Sequence, residues 1–230
     1  MDDRTLQEIF ADVGRNYGYI EVHACFTAYR DFKVKWVRSY CRADFQVSDY
    51  LEYAPVEAIR DCAKALFDRI VHQNIPAEGE PIYPEAMTSY ILSDEFRERC
   101  QPMYIRRSRN VTRSTEGRYK DLGESLKRLK ELGLVGKDED PYITWTKEEL
   151  SSQTGYVSTL MDTMVINCAF DDETIPDYVI DYVVYHHLVI IKDGAAKFNG
   201  DVIDMRAEEK KYPQWNEAEE YIQHMGYIIC

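Results

Sequence analysis

The stretch "IPDYVIDYVVYHHLVIIKDG", residues 175–194, decides how this chain is read. Its spacing predicts a helix over about 175–192. Thr174, with Asp177 three places later, forms a capping-box-like start, and Asp193–Gly194 forms the stop. Leu188, Val189, Ile190 and Ile191 surround two adjacent histidines, His186 and His187, with aliphatic surface. Adjacent side chains diverge by about 100° around a helix, so these two imidazoles are poorly placed to chelate one ion. Two readings stand on the residues alone: a metal site, or two partly buried histidines satisfied by tyrosine hydroxyls or backbone carbonyls.

Zinc hydrolysis on a helix needs two imidazoles four residues apart, which puts both within reach of one ion. A glutamate directly after the first then acts as general base on the bound water, and a third ligand arrives from a later element. In that pattern His186 occupies the first position, His187 stands at the glutamate, and Ile190 stands at the second histidine. An aliphatic side chain has no lone pair to offer a metal.

Working outward, residues 4–15 predict a short helix with Leu6, Ile9, Phe10 and Val13 on one face. The period then changes to two. "YIEVHACFT" and "KVKWVRSYCRADFQVS" predict two or three antiparallel strands over a 19–48 β-hairpin region. Pro55 opens a helix to about His72, and "QNIPAEGEPIYP" reads as a linker. Helical material follows over 85–107 and over about 116–132, where Leu122, Leu126, Leu129 and Leu132 form a core stripe. Together these predict a helical lobe over 76–135. "YITWT" is a short strand, and 155–170 a strand, turn and strand. Two further helices are expected near 201–211 and 215–224. No internal repeat is visible in the sequence.

The order "TGYVSTLMDTMVINCAFDDETIPDYVIDYVVYHHLVIIK", then "DVIDMRAEEKKYPQWNEAEEYI", resembles the SprT-like and YgjP-like zincin metallopeptidases. The matching residues are Gly155 and Ser158, then Ile166–Asn167, then Pro176, then Asp181–Tyr182–Val183–Val184 leading to His186. "MRAEEKKYP" resembles the family's Phe-x-x-x-Glu-x-x-Tyr-Pro segment with Met205 at the phenylalanine, which puts Asp201 at the third histidine. "FKVKWVRSYCRADFQVSDYLEYAP" and the Arg-rich 104–118 stretch resemble longer members of the group.

The resemblance implies one α+β, zincin-like domain over 1–230. It would hold a mixed, mostly antiparallel sheet packed on a long active-site-type helix, a helical lobe inserted mid-chain and a degenerate zincin core over 141–230. It implies metal positions at His186 and Asp201, and His187 at the catalytic glutamate's place. The site has lost its chemistry on this reading: the chain is a non-catalytic pseudopeptidase that binds a peptide or protein, without zinc. The alternatives are an active hydrolase with rewired zinc ligands, using His186, Asp201 and one of His187, Asp204, Glu208 or Glu209, and a DNA-associated protein using the basic stretch.

Composition bounds these readings. The 230 residues carry a net charge of −13, which disfavours general nucleic-acid binding. One basic run opposes the trend, with Arg106, Arg107, Arg109, Arg113, Arg118 and Lys120 against Glu116 within 104–120. The plainer reading of that run is a solvated face paired with the acidic remainder. Six scattered cysteines without a Cys-x-x-Cys pair, and an acidic amphipathic "MDDRTLQEIF" start, lead to the expectation of a cytoplasmic protein with reduced thiols and no membrane span. Trp36, Trp145 and Trp215 are read as core or boundary anchors, and His23, His72 and His224 as structural.

Overall fold

The computed structural model describes residues 1–72 and 83–229, so most of the predicted linker lies outside the described residues. The fold is α+β, with eight α-helices and two small mixed sheets among the described residues. The chain divides into two compact units, 1–107 with 197–201, and 108–196 with 202–230. The helices expected as one lobe over 76–135 are shared between them.

In the first unit, α1 (Asp3–Asn16) starts at Asp2, whose carboxylate accepts the Thr5 N–H at 2.9 Å. It buries Leu6, Ile9, Phe10 and Val13. The strands are β1 (Glu21–Thr27), β2 (Val34–Arg38) and β3 (Arg42–Ser48), in the order β1-β3-β2. β2 runs antiparallel to β3, but β1 runs parallel to it, so the all-antiparallel expectation is corrected. Parallel pairing needs a long crossover, and here the β1–β3 connection contains β2. Ala43, Phe45 and Val47 face inward, and the Phe45 ring sits 4.9 Å from that of Phe10 and 5.1 Å from Phe67 of α2 (Val56–His72). Next come α3 (Glu85–Ile91) and α4 (Asp94–Arg107).

In the second unit, α5 (Leu122–Glu131) begins later than the expected 116. Residues before it are held in an irregular loop by the Asp171 carboxylate, which accepts the backbone N–H groups of Arg118, Tyr119 and Lys120. The strands β4 (Tyr142–Trp145), β5 (Gly155–Ser158) and β6 (Thr163–Ile166) are ordered β4-β6-β5. β6 stops at Ile166, short of the expected alternation through Ala169. Asn167 ends it by bonding Leu150, Gln153 and Ala169 through its buried amide. The long helix α6 (Asp177–Phe198) runs through the predicted stop. A Cβ on Gly194 would lie 2.3 Å from the Thr159 hydroxyl oxygen, so this glycine permits close packing and does not end the helix. Thr174 does not cap it either; its hydroxyl bonds Asp172 at 2.6 Å. The short α7 (Met205–Glu209) and α8 (Trp215–His224) complete the unit.

The two units share one topology that no sequence repeat announces. Each runs helix, three strands, a single 3-10 turn, then a long helix: α1-β1-β2-β3-α2 and α5-β4-β5-β6-α6. In each, the first strand is parallel and the second antiparallel to the central third strand. In each, a polar residue ends the third strand (Ser48, Asn167) and a proline immediately precedes the long helix (Pro55, Pro176).

Candidate functional site

Residues Val179 to Val189 of α6 are all buried, so the helix is enclosed on every side. Each polar group on it therefore needs a partner from a neighbouring element. The partners are found on α5, α7 and α8, and within α6 itself.

His186 is 2 % exposed, and its Nδ1 lies 2.8 Å from Oε1 of Glu209, itself 6 % exposed. A carboxylate only accepts, so Nδ1–H donates. Glu209 also accepts from Arg206 at 3.2 Å, and the His186 hydrogen bond, then Arg206, holds its carboxyl below the usual carboxylate value against the effect of burial. Arg206 continues to Glu219 at 2.8 Å and lies over the Trp215 ring. Glu219 accepts the Tyr182 hydroxyl at 2.7 Å. Burial, reinforced by Glu219, raises the Tyr182 phenol well above its ordinary value.

His187 points elsewhere. Its Nδ1–H donates to the Val183 carbonyl at 2.8 Å, one helical turn back, and its ring lies under Gly155 of β5. A Cβ on Gly155 would meet Nε2 of His187 at 2.8 Å and the Val165 carbonyl oxygen at 2.4 Å. Burial pushes the imidazole down to about 4, with the neighbouring His186 adding to the shift. His187 is therefore neutral at pH 7. The two rings stand perpendicular, 5.4 Å apart.

The other expected positions are dispersed. Ile190 carries no donor. Asp201 is exposed and falls in the segment that belongs with the first unit, whereas His186 is buried in the second. Asp204 caps α7 by accepting the Ala207 N–H at 3.0 Å, and Glu208 pairs with Lys211. Among the described residues no three His, Cys, Asp or Glu side chains gather where they could hold one ion. An imidazole oriented by a carboxylate is how a metal-binding histidine is commonly set, but His186 has no co-ligands beside it. The donor set does not fit zinc.

A second buried pair lay outside the sequence reading. Asp181 on α6 accepts both Nε and Nη2 of Arg128 from α5, at 2.8 and 2.7 Å, and the Ser125 hydroxyl at 2.6 Å. Its signal was available: Ser125 and Arg128 sit one turn apart beside the leucine stripe, and Asp181 interrupts an apolar helix. Arg206 and Glu219 were missed in the same way, as charges within a run that reads as solvated surface.

The basic stretch is divided between the two units. Arg107 pairs with Asp49 and donates to the Tyr29 carbonyl at 2.7 Å, and Lys120 pairs with Asp177 at 2.8 Å. Arg106, Arg109, Arg113 and Arg118 are exposed. Cys25, Cys41, Cys62, Cys100 and Cys168 are free thiols, and among the described residues no helix is long and apolar enough to cross a membrane. No protein-family model, no curated protein and no solved structure matches the chain.

Proposed function

We propose that this chain is a non-catalytic, zincin-like binding module that takes a peptide or protein partner. The observation that carries the reading is the fate of the two histidines. His186 is tied to Glu209 with no metal-ligand cluster gathered around it among the described residues, and His187 is turned under β5 onto the Val183 carbonyl. What survives such a loss is the sheet. Addition of an extended segment to a sheet edge uses main-chain groups alone, so it does not depend on a metal or a base.

Metal analysis tests the loss of chemistry. Protein dialysed in zinc-containing and then metal-free buffer is expected to hold far less than one zinc per chain and to leave a casein substrate intact; stoichiometric zinc with cleavage would overturn the reading. The zincin-like part has its own test. The double variant His187→Glu, Ile190→His, which restores the two-histidine spacing on α6 alone, is expected to gain zinc. A variant that folds and binds none would remove the zincin-like assignment.

A further inference from the structure

The edges of the two sheets are treated unequally. Along β1 the outward main-chain groups are covered by α1: Gln7 accepts the Ala24 N–H at 2.7 Å and donates to the Val22 carbonyl, and Asp3 accepts the Phe26 N–H at 2.7 Å. β4 receives the Thr112 N–H on the Trp145 carbonyl at 2.9 Å, and the approach to β5 is bridged by Ile228, whose N–H donates to the Ser152 carbonyl at 2.8 Å. β2 has no such cover among the described residues.

Which groups β2 leaves bare follows from its register. The Ser48 N–H donates to the Lys33 carbonyl and the Ser39 N–H to the Arg42 carbonyl, so 33/48 and 39/42 are hydrogen-bonded pairs. Antiparallel pairs alternate, which makes 35/46 and 37/44 hydrogen-bonded too. Val34, Trp36 and Arg38 therefore turn their N–H and C=O outward. Trp36 is 46 % exposed and Val37 71 %, and Val34, Lys35, Trp36, Val37, Asp44 and Gln46 line a groove of about 420 Å³ beside them. A bare edge with exposed aromatic and aliphatic side chains is a template for another strand.

We infer that β2 is the partner-docking edge, and that its occupant is an extended, acidic segment of another protein, apolar at alternate positions. The inference rests on the binding reading above and names its site and partner chemistry. The charge argument selects the occupant. Lys33, just before the strand, and Lys35, within it, hold their ammonium groups over the Tyr29 ring, at 4.7 and 5.4 Å, and Arg38 donates to the Ile70 carbonyl at 2.6 Å. Among the described residues none of these three cations has a carboxylate partner, in a chain of net charge −13. The same cations oppose pairing with the β2 of a second copy, as lysines on a sheet edge generally do. An added strand would place one set of alternate side chains beside Val34 and Trp36, where apolar groups fit, and the other set beside Lys33 and Lys35, where carboxylates fit.

The test uses the full chain and a fluorescein-labelled octapeptide of alternating valine and glutamate, read by anisotropy. Saturable binding that weakens with added salt is expected. Trp36→Ala should weaken it about tenfold or more. Val34→Pro should do the same, because proline removes an outward N–H while leaving the bonds to β3 in place; unchanged circular dichroism and melting temperature establish that both variants fold. A peptide that binds the variants as tightly as the parent would overturn β2 as the site while leaving the binding reading intact. Equal affinity for a valine–lysine peptide would overturn the acidic occupant. A dimer by sedimentation that Val34→Pro dissolves would also overturn the proposal, by showing that a second copy covers the edge.

Discussion

Nδ1 of His186 stands 2.8 Å from Oε1 of Glu209, and both side chains are buried between α6 and α7. The pair ties the central helix of the second unit to the segment after it, through a contact 23 residues apart in sequence. Arg206, Glu219 and Tyr182 extend it into a chain of polar contacts along one side of a largely apolar helix.

Removing one member of such a pair leaves the other buried and unpaired. Glu209→Ala is expected to lower stability by about 3 kcal/mol. Replacing both, in His186→Leu with Glu209→Met, should cost clearly less than the two single changes added together. Urea unfolding of the singles and the double measures the coupling; simple additivity would contradict the assignment of a buried pair.

The pH dependence has a defined sign. Folding lowers the His187 value from 6.5 to about 4. Above pH 6.5 both states are neutral and this group adds no slope. As pH falls from 6.5 towards 4 the unfolded chain takes up a proton that the folded chain refuses, so stability falls, by on the order of 3 kcal/mol in all. Glu209 acts in the same direction lower down: its value is lowered from 4.5, so its contribution is present above that value and is lost as pH falls through the folded one. Unfolding midpoints between pH 7 and 4 should fall steadily, and His187→Leu should flatten the upper part of that range.

Asn167 and Ser48 close the central strand of their respective sheets, with opposite bonding. Asn167 uses both amide atoms on the 150–153 loop and Ala169, whereas the Ser48 hydroxyl is buried without a hydrogen-bond partner among the described residues. Asn167→Ala should therefore cost about 2 kcal/mol or more, since it removes a fully buried amide and leaves several part-buried main-chain groups without their partner. Ser48→Ala should be neutral to within about 0.5 kcal/mol, or stabilising. Thermal and urea unfolding of the two variants gives the comparison.

Gly155→Ala is expected to cost roughly 2–3 kcal/mol by overpacking. The added carbon would meet the Val165 carbonyl oxygen, which belongs to the β5–β6 ladder and has little room to move. Truncating His187 in the same chain should relieve only part of the loss, because the backbone clash remains; full rescue in unfolding experiments would place the strain on the imidazole alone.

The parts of the fold legible in the sequence were those set by local pattern. Leu6, Ile9, Phe10 and Val13 mark α1, and Val56–His72 follows Pro55 as the spacing predicts. Long-range choices were not legible. Alternation in Val22–Ala24 and Ala43–Phe45–Val47 says which side faces the core, and it says nothing about parallel or antiparallel sense, which depends on where the connection runs. Gly194 reads as a stop because its use, close packing on Thr159, lies 35 positions away in the chain. At the site, the lack of a donor at Ile190 was plain from sequence. The partner of His186 was not, because Glu209 sits in a run of charges where any of several carboxylates fits the spacing.

His186 is a solitary, carboxylate-tied imidazole, and zinc titration of protein labelled with ¹⁵N in its histidine rings is the decisive experiment. His186 is expected to keep a protonated Nδ1, with its ring resonances unmoved by stoichiometric zinc. A saturable one-to-one shift of the His186 resonances that Asp201→Asn abolishes would contradict it.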